Sequence, residues 1–168
     1  MEAVRRKGKD DGLEEANIEQ YLTFGLGGEE YGVDILRVQE VKGWTAVTKI
    51  PRAPEWVVGV LNLRGEIVPI IDMRLRFALD SVEYGRLTVI IVINVGKGDD
   101  ARPIGMVVDQ VSDVVDVDNN AIKPAPKFGT ALDSSFLIGL AEVGEKMVML
   151  LEADRLLSES ELNDLPTS

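Results

Sequence analysis

Residues 59–72 read G-V-L-N-L-R-G-E-I-V-P-I-I-D, two apolar halves that flank the tetrapeptide N-L-R-G at 62–65. Asn and Gly tolerate the left-handed backbone of tight turns, and apolar residues on both sides are typical of a β-hairpin. We therefore predict a hairpin whose turn is this tetrapeptide and whose Arg64 points toward water. An exposed arginine on a rigid turn suits recognition, although a solvated turn residue that binds nothing has the same pattern.

The second half of this hairpin contains Pro69 and ends at Asp72. Since proline has no N–H for a β-ladder, we predict that this strand lies at a sheet edge or carries a bulge. Asp is a good helix N-cap, so Asp72 is expected to start a short helix that runs to Phe77.

Short apolar segments recur along the rest of the chain. Leu22, Phe24 and Leu26 alternate with other residues, and Tyr31–Ile35 repeats the alternation after a glycine turn, which predicts a second hairpin. Residues 87–95 form a nearly continuous β-branched run, as expected of a strand that is buried on both faces. Further strands are predicted near Val38–Val41, Ile104–Val108, Val111–Val117, Ile138–Val143 and Met147–Leu151.

About nine short strands with close glycine turns indicate an all-β barrel or sandwich, with helix confined to short connectors. Similar hairpins in the two halves suggest two small barrels in one unit. Ser158 and Glu161 have the spacing of a capping box and predict a helix near the C-terminal end. We divide the chain into a flexible tail at 1–17, a main domain at 18–158 and a short C-terminal helix or tail at 159–168.

The composition excludes several classes of function. The chain has 168 residues, no cysteine, no histidine and a formal net charge of −11. The usual general base, thiolate nucleophiles and zinc ligands are therefore missing. The negative charge disfavours nucleic acid and anionic lipid, and no apolar run is long enough to span a membrane. We expect a cytoplasmic protein that neither binds nucleic acid nor inserts into the membrane.

We expect no metal and no cofactor. Asp116, Asp118 and Asn120 match the first alternating positions of a calcium loop, but Ala121 replaces its glycine and Lys127 replaces its bidentate glutamate. Paired carboxylates are the remaining catalytic option, and no specific pair is evident, so no catalytic residue is predicted. A barrel that encloses a small ligand, or a hydrolase based on carboxylates, is kept as the alternative function.

Several motifs together resemble one known family. Their order and spacing carry the likeness, which covers roughly Ile18 to Leu157 and leaves out the N-terminal tail. The motifs are Glu30-Tyr31-Gly32-Val33-Asp34-Ile35, Ile50-Pro51, Pro54, Gly59-Val60, Asn62-Leu63-Arg64-Gly65, Val68-Pro69-Ile70-Ile71-Asp72-Met73-Arg74 and Val107-Val108-Asp109. The chain thereby resembles the CheW family, the coupling proteins of bacterial chemotaxis.

This resemblance implies a fold and a function. The fold is two packed SH3-like five-stranded β-barrels, and the function is that of a non-catalytic adaptor. Such an adaptor connects the cytoplasmic tips of transmembrane chemoreceptors to the regulatory domain of the histidine kinase CheA, and it supports the signalling array at the inner face of the cytoplasmic membrane. The length of the chain, its initial Met and the lack of a nucleotide-binding motif favour a free adaptor over the CheW-like part of a larger kinase.

The resemblance also implies two binding faces. The receptor-binding face comprises Ile35, Val38, Glu40, Gly59, Asn62, Leu63 and Arg64. The kinase-binding face comprises Ile122, Lys123, Pro124 and Phe128. Lys123 stands where relatives commonly carry arginine, and because the two cations pair with carboxylates differently, the kinase contact is expected to be weaker here.

Overall fold

The protein is built mainly from β-strands, as the sequence predicts. The computed structural model describes residues 17–125 and 134–165. The strands are β1 (Ile18–Leu26), β2 (Glu29–Asp34), β3 (Val38–Gly43), β4 (Val57–Leu63), β5 (Glu66–Asp72), β6 (Val89–Val95), β7 (Arg102–Val108), β8 (Gln110–Asp118), β9 (Leu137–Val143) and β10 (Lys146–Leu151). The α-helices are α1 (Met73–Arg76) and α2 (Glu159–Asp164).

The strands form two five-stranded sheets. The first has the order β8-β1-β2-β10-β9 and the second has the order β3-β6-β7-β5-β4. Each sheet contains one parallel pair, β2 with β10 and β5 with β7, and its other pairs are antiparallel. The second sheet is therefore inserted in the chain between two parts of the first. The expected pair of packed SH3-like units is confirmed, whereas the domain limits at 18 and 158 stay a prediction.

Strand β6 separates two hydrophobic cores. Ile91 and Ile93 belong to a large cluster that also contains Phe24 of β1, so this cluster joins the two sheets. Ile90 and Val92 point the other way, into a cluster within the second sheet. All four isoleucine and valine side chains are at most 1% exposed. The prediction that this strand is buried on both faces is confirmed, because adjacent residues of a strand face opposite sides.

The β4–β5 hairpin has a tighter turn than the sequence predicts. Asn62 and Leu63 belong to β4, and the turn consists of Arg64 and Gly65, whose φ angles are 54° and 86°. Two consecutive residues with positive φ are typical of a type I′ turn, whose twist matches that of paired strands. The Asn62 side chain accepts a hydrogen bond of 2.9 Å from the Gly65 N–H, which satisfies this turn without a longer loop.

The prediction for Pro69 is wrong about the edge. Strand β5 lies between β7 and β4 in the interior of its sheet. The parallel register with β7 extends only from Ile70 to Asp72, so Pro69 lies just outside it. The register shift in this region lies in β4, between Val57 and Gly59. Pro69, which has no N–H, is therefore accommodated in the inner strand β5 because it lies just before the β5–β7 ladder begins.

Both predicted helix caps are present. Asp72, which is buried, accepts a hydrogen bond from the Leu75 N–H at 3.2 Å and another from the Tyr84 hydroxyl at 2.5 Å. Ser158 and Glu161 form a complete capping box at the start of α2. No helix within residues 17–125 and 134–165 is long and apolar enough to cross a membrane.

Two arginine–aspartate pairs connect the sheets. Arg74 of α1 binds both carboxylate oxygens of Asp109 at 2.7 Å, and Asp109 also accepts a hydrogen bond from the Gly27 N–H in the β1–β2 turn. Arg37 binds both oxygens of Asp154 at 2.8 Å. Burial alone would raise the pKa of Asp109 and of Asp154, but the hydrogen bonds from the arginines and from backbone N–H groups outweigh it and lower the pKa of both carboxyls.

These pairs predict that stability falls in acid. A carboxyl whose pKa is lower in the folded than in the unfolded chain stabilises the fold above the unfolded value, near pH 4, and loses that contribution as the pH falls through the folded value. We expect Asp109→Asn to lower the free energy of unfolding by about 1–2 kcal/mol at pH 7, with a smaller difference from the wild type at pH 3. Urea denaturation at both pH values checks this, and an equal difference at both would contradict it.

Candidate protein-interaction surfaces

Arg64 is displayed on the surface by the turn between β4 and β5. Its side chain is 80% exposed, and its Nη1 donates to Oε1 of Glu40 at 2.8 Å. Glu40 lies on β3, and its side chain is only 24% exposed. An exposed ion pair of this kind contributes little to stability, about 0–1 kcal/mol. The guanidinium therefore remains accessible to another polypeptide.

The contact between Arg64 and Glu40 depends on the curvature of the second sheet. Strands β3 and β4 stand at opposite ends of its strand order. The chain after β3 nevertheless reaches β4, where the backbone groups of Thr48 and Val60 exchange hydrogen bonds of 3.0 and 2.8 Å. Gly59 permits this approach, because a Cβ atom at residue 59 would lie 2.3 Å from the Thr48 carbonyl oxygen. The two ends of the sheet are thus brought together at the hairpin.

The other residues of the predicted receptor face differ in exposure. Asn62 is exposed, while Leu63 is half-buried and packs against the cluster of the second sheet. Ile35 and Val38 are half-buried and pack against the large cluster between the sheets. Gly59 is buried. The structure thus brings Glu40 and Arg64 into direct contact, and Asn62 and Leu63 immediately precede Arg64 in the chain.

Leu36 in this region was not predicted from the sequence. Its side chain is 82% exposed, although it lies between Ile35 and Arg37 in a short 3-10 turn. The only signal in the sequence is that Leu36 follows Ile35 directly, which ends the alternation of apolar residues in β2. In a 3-10 turn, with about three residues per turn, successive side chains point in different directions, so Ile35 can pack against the core while Leu36 stays in water.

The described part of the predicted kinase face lies beside β9. Lys123 exchanges two backbone hydrogen bonds with Leu140, and its Nζ donates to Oε1 of Glu142 at 3.0 Å. The side chains of Lys123 and Glu142 are both 62% exposed. Ile122 is half-buried and packs against the cluster under the first sheet, whereas Pro124 is exposed. Phe128 lies outside the described residues.

Gly139 was also missed as a determinant of this face. A Cβ atom at residue 139 would lie 2.4 Å from the Lys123 carbonyl oxygen and 2.6 Å from Cγ2 of Ile122. Only glycine therefore lets this segment lie against β9. The signal in the sequence was a glycine inside an apolar strand, which often marks a close approach of another backbone.

A cleft of about 530 Å³ lies at the end of the first sheet. Its lining includes Tyr21 and the carboxylates of Glu19, Asp34 and Glu152. Burial, with a smaller contribution from the three carboxylates, raises the pKa of Tyr21 to about 12. The phenol therefore keeps its proton at neutral pH and is not a nucleophile. In the described part of the chain, no group of three or more acidic residues has a geometry that could hold a metal ion.

Comparison with known proteins gives consistent matches along the chain. Residues 20–161 match the sequence model of the CheW-like domain. The chain is 47% identical over 144 residues to the chemotaxis protein CheW of Klebsiella aerogenes, covering 86% of this chain and 84% of that protein. It is 34% identical over 142 residues to the probable chemotaxis protein CheW of Rhizobium etli, covering 84% and 89%.

A solved structure supports the same likeness. The crystal structure of the scaffolding protein TtCheW from Thermoanaerobacter tengcongensis superimposes with a TM-score of 0.76 at 33% sequence identity. The superposition covers 85% of this chain and 94% of that one. Both the arrangement of the strands and the sequence of the chain are therefore similar to those of this scaffold.

Proposed function

Because this chain belongs to the CheW family of chemotaxis scaffold proteins, we propose that it couples transmembrane chemoreceptors to the histidine kinase CheA without catalysing a reaction itself. It acts in the cytoplasm, in receptor arrays at the inner face of the membrane, and it binds neither nucleic acid nor the bilayer. The observation that carries the proposal is the exposed Arg64 beside Glu40 on a rigid turn.

The receptor contact is assigned to the face around Arg64. Ile35, Val38, Glu40, Asn62, Leu63 and Arg64 form this face, and Gly59 supports its shape from the interior. An arginine at the centre of an interface often accounts for about 2 kcal/mol or more of binding, because its planar fork binds carboxylates with two hydrogen bonds and its plane stacks on apolar groups. Arg64 is available for this role because its present partner, Glu40, occupies only one of its donors in the structure.

The kinase contact is assigned to Ile122, Lys123, Pro124 and Phe128. The pair between Lys123 and Glu142 is largely exposed to solvent, so Lys123 can exchange its partner for a carboxylate of the kinase at little cost. Separate faces for receptor and kinase let a change in receptor packing reach the kinase through the adaptor. A coupling free energy of about 1–3 kcal/mol is typical of such systems.

The proposal is tested by sedimentation with receptor-containing membranes. The protein should pellet with membranes that contain receptors and remain in the supernatant with membranes that lack them. The addition of CheA should bring the kinase into the pellet only when the adaptor is present. Equal sedimentation with both membranes, or recruitment of CheA without the adaptor, would contradict the proposal.

Phe128→Ser is expected to weaken the kinase contact selectively. Loss of a large apolar side chain from the centre of an interface reduces affinity by about tenfold or more when that residue is a hot spot, which is the role proposed for Phe128. Titration of the CheA regulatory domain should show this loss, while sedimentation with receptors is unchanged. The control is Leu87→Ser, which removes an apolar side chain outside the proposed kinase face. Leu87 is 68% exposed. Undiminished affinity of Phe128→Ser would remove this residue from the kinase face.

A further inference from the structure

Leu36 is the most exposed large apolar side chain in the part of the chain that the structure describes. It is 82% exposed, compared with 68% for Leu87 and 50% for Ile18. An apolar side chain held in water gains free energy when a partner covers it. The position of Leu36 matters because Ile35 precedes it and Val38 follows shortly after, and both belong to the face assigned above to the receptor.

The exposure of Leu36 is enforced by its local structure. The Leu36 N–H donates to the Asp34 side chain at 2.9 Å, and the Val38 N–H donates to the Ile35 carbonyl, which closes the 3-10 turn. Ile35 and Val38 are anchored by packing against the core between the sheets. The turn is therefore fixed on both sides of Leu36, and its side chain cannot fold back into the interior.

Arg37 anchors the same turn to both sheets. Besides binding both oxygens of Asp154 at 2.8 Å, its Nη1 donates to the carbonyls of Asn94 and Gly96 at 3.2 and 3.3 Å. Asp154 in turn accepts from the Gly96 N–H at 2.8 Å. Asp154 follows β10 of the first sheet, whereas Asn94 and Gly96 lie at the end of β6 in the second. The turn is thus held where the two sheets meet.

We propose that Leu36 is an apolar contact residue of the receptor face and that Arg37 is the positioning residue that holds it there. The inference rests on the proposed receptor-binding function. The occupant is an apolar pocket on the receptor tip, because Leu36 is exposed and lies in the chain between Ile35 and Val38, two residues of the face assigned to the receptor. Interface centres are usually apolar and their rims polar, so an exposed leucine suits the centre of such a face and an exposed ion pair suits its rim.

A cysteine label tests the contact. The chain contains no cysteine, so Leu36→Cys provides a single thiol whose reaction with a maleimide can be followed. Leu87→Cys is the matched control. Leu36 lies near the end of the β3–β6 ladder where Val38 pairs with Ile93, and Leu87 lies near the other end, where Gly43 pairs with Val89. The two ends of the ladder are roughly 17 Å apart along the strand. On saturation with receptor-containing membranes, labelling of Leu36→Cys should slow by about tenfold or more, and labelling of Leu87→Cys should not change.

The outcomes separate the two proposals. If the wild type and Leu36→Cys sediment with the receptors but the thiol reacts as fast as it does in the free protein, the inference about Leu36 is wrong and the receptor-binding function stands. If the wild type does not sediment with receptors at all, the proposed function and this inference fail together.

The positioning role of Arg37 is tested with a matched pair of substitutions. Arg37→Lys and Arg74→Lys each replace an arginine that binds both oxygens of an aspartate. The two pairs are similarly exposed: the side chains of Arg37 and Asp154 are 26% and 24% exposed, and those of Arg74 and Asp109 are 19% and 25% exposed. Lysine cannot reproduce the planar fork. Both variants should lose similar stability, but only Arg37→Lys should lower receptor affinity, by about fivefold to tenfold, with CheA affinity unchanged. Equal receptor affinity in the two variants would overturn the role of Arg37.

Discussion

Arg64→Glu is expected to abolish receptor binding while the protein stays folded. The substitution places a carboxylate at the exposed end of the hairpin, opposite Glu40, and removes the cation that a receptor carboxylate or carbonyl group would contact. Affinity for receptor-containing membranes should fall by about 30-fold or more, which corresponds to about 2 kcal/mol. The free energy of unfolding should change by less than about 1 kcal/mol, because the lost ion pair is exposed.

Two further variants make this test specific. Arg52→Glu changes the net charge equally at another exposed arginine that also has positive φ, 62°, and it should sediment with receptors like the wild type. The double variant Glu40→Arg with Arg64→Glu restores an ion pair of reversed polarity. If the double variant regained receptor binding, Arg64 would act only through Glu40 and would not contact the receptor.

Gly59→Ala is expected to have the largest effect on stability. The new methyl group would lie 2.3 Å from the Thr48 carbonyl oxygen and 2.9 Å from the Thr48 carbonyl carbon. The Thr48 carbonyl oxygen accepts a hydrogen bond from the Val60 N–H, and the Thr48 N–H donates to the Val60 carbonyl, so this segment cannot move without breaking the bridge. We expect a loss of about 2–3 kcal/mol in the free energy of unfolding, measured by urea denaturation, together with weaker receptor binding because the hairpin is displaced.

Gly43→Ala is the matched control for this substitution. A Cβ atom at residue 43 would meet no atom within 4 Å, so the same chemical change occurs there without a clash. Its free energy of unfolding should stay within about 0.5 kcal/mol of the wild type. Equal stability of the two variants would show that the Thr48 segment moves freely and does not hold the hairpin.

Local patterns in the sequence predicted most of the secondary structure. Alternation identified the hairpin of β1 and β2, and the continuous β-branched run of β6 predicted a strand with a core on each face. Asp72 and Ser158 indicated where the two helices begin. These features are readable because they depend on residues within a few positions of each other, which share one turn or one face of a strand.

The candidate faces were predicted in part. The exposure of Arg64 was predicted from the Asn and Gly residues around it, because these residues favour a tight turn and the side chains of a hairpin turn point toward water. Its pairing with Glu40 joins residues 24 apart in the chain, and no spacing rule predicts such a contact. Leu36 and Gly139 were missed because the sequence does not tell which apolar residue stays in water or which glycine lies under another backbone.

The sequence by itself determined that this chain is mainly β, which segments form its strands, and that it carries an exposed arginine in a hairpin turn. Only the tertiary structure decided that Pro69 lies in an inner strand, that the ends of the second sheet meet at the hairpin, and that Arg37 binds Asp154 across 117 residues. The physical reason is that strand pairing and ion pairs form between segments brought together by the burial of a shared core, and that burial depends on the whole chain.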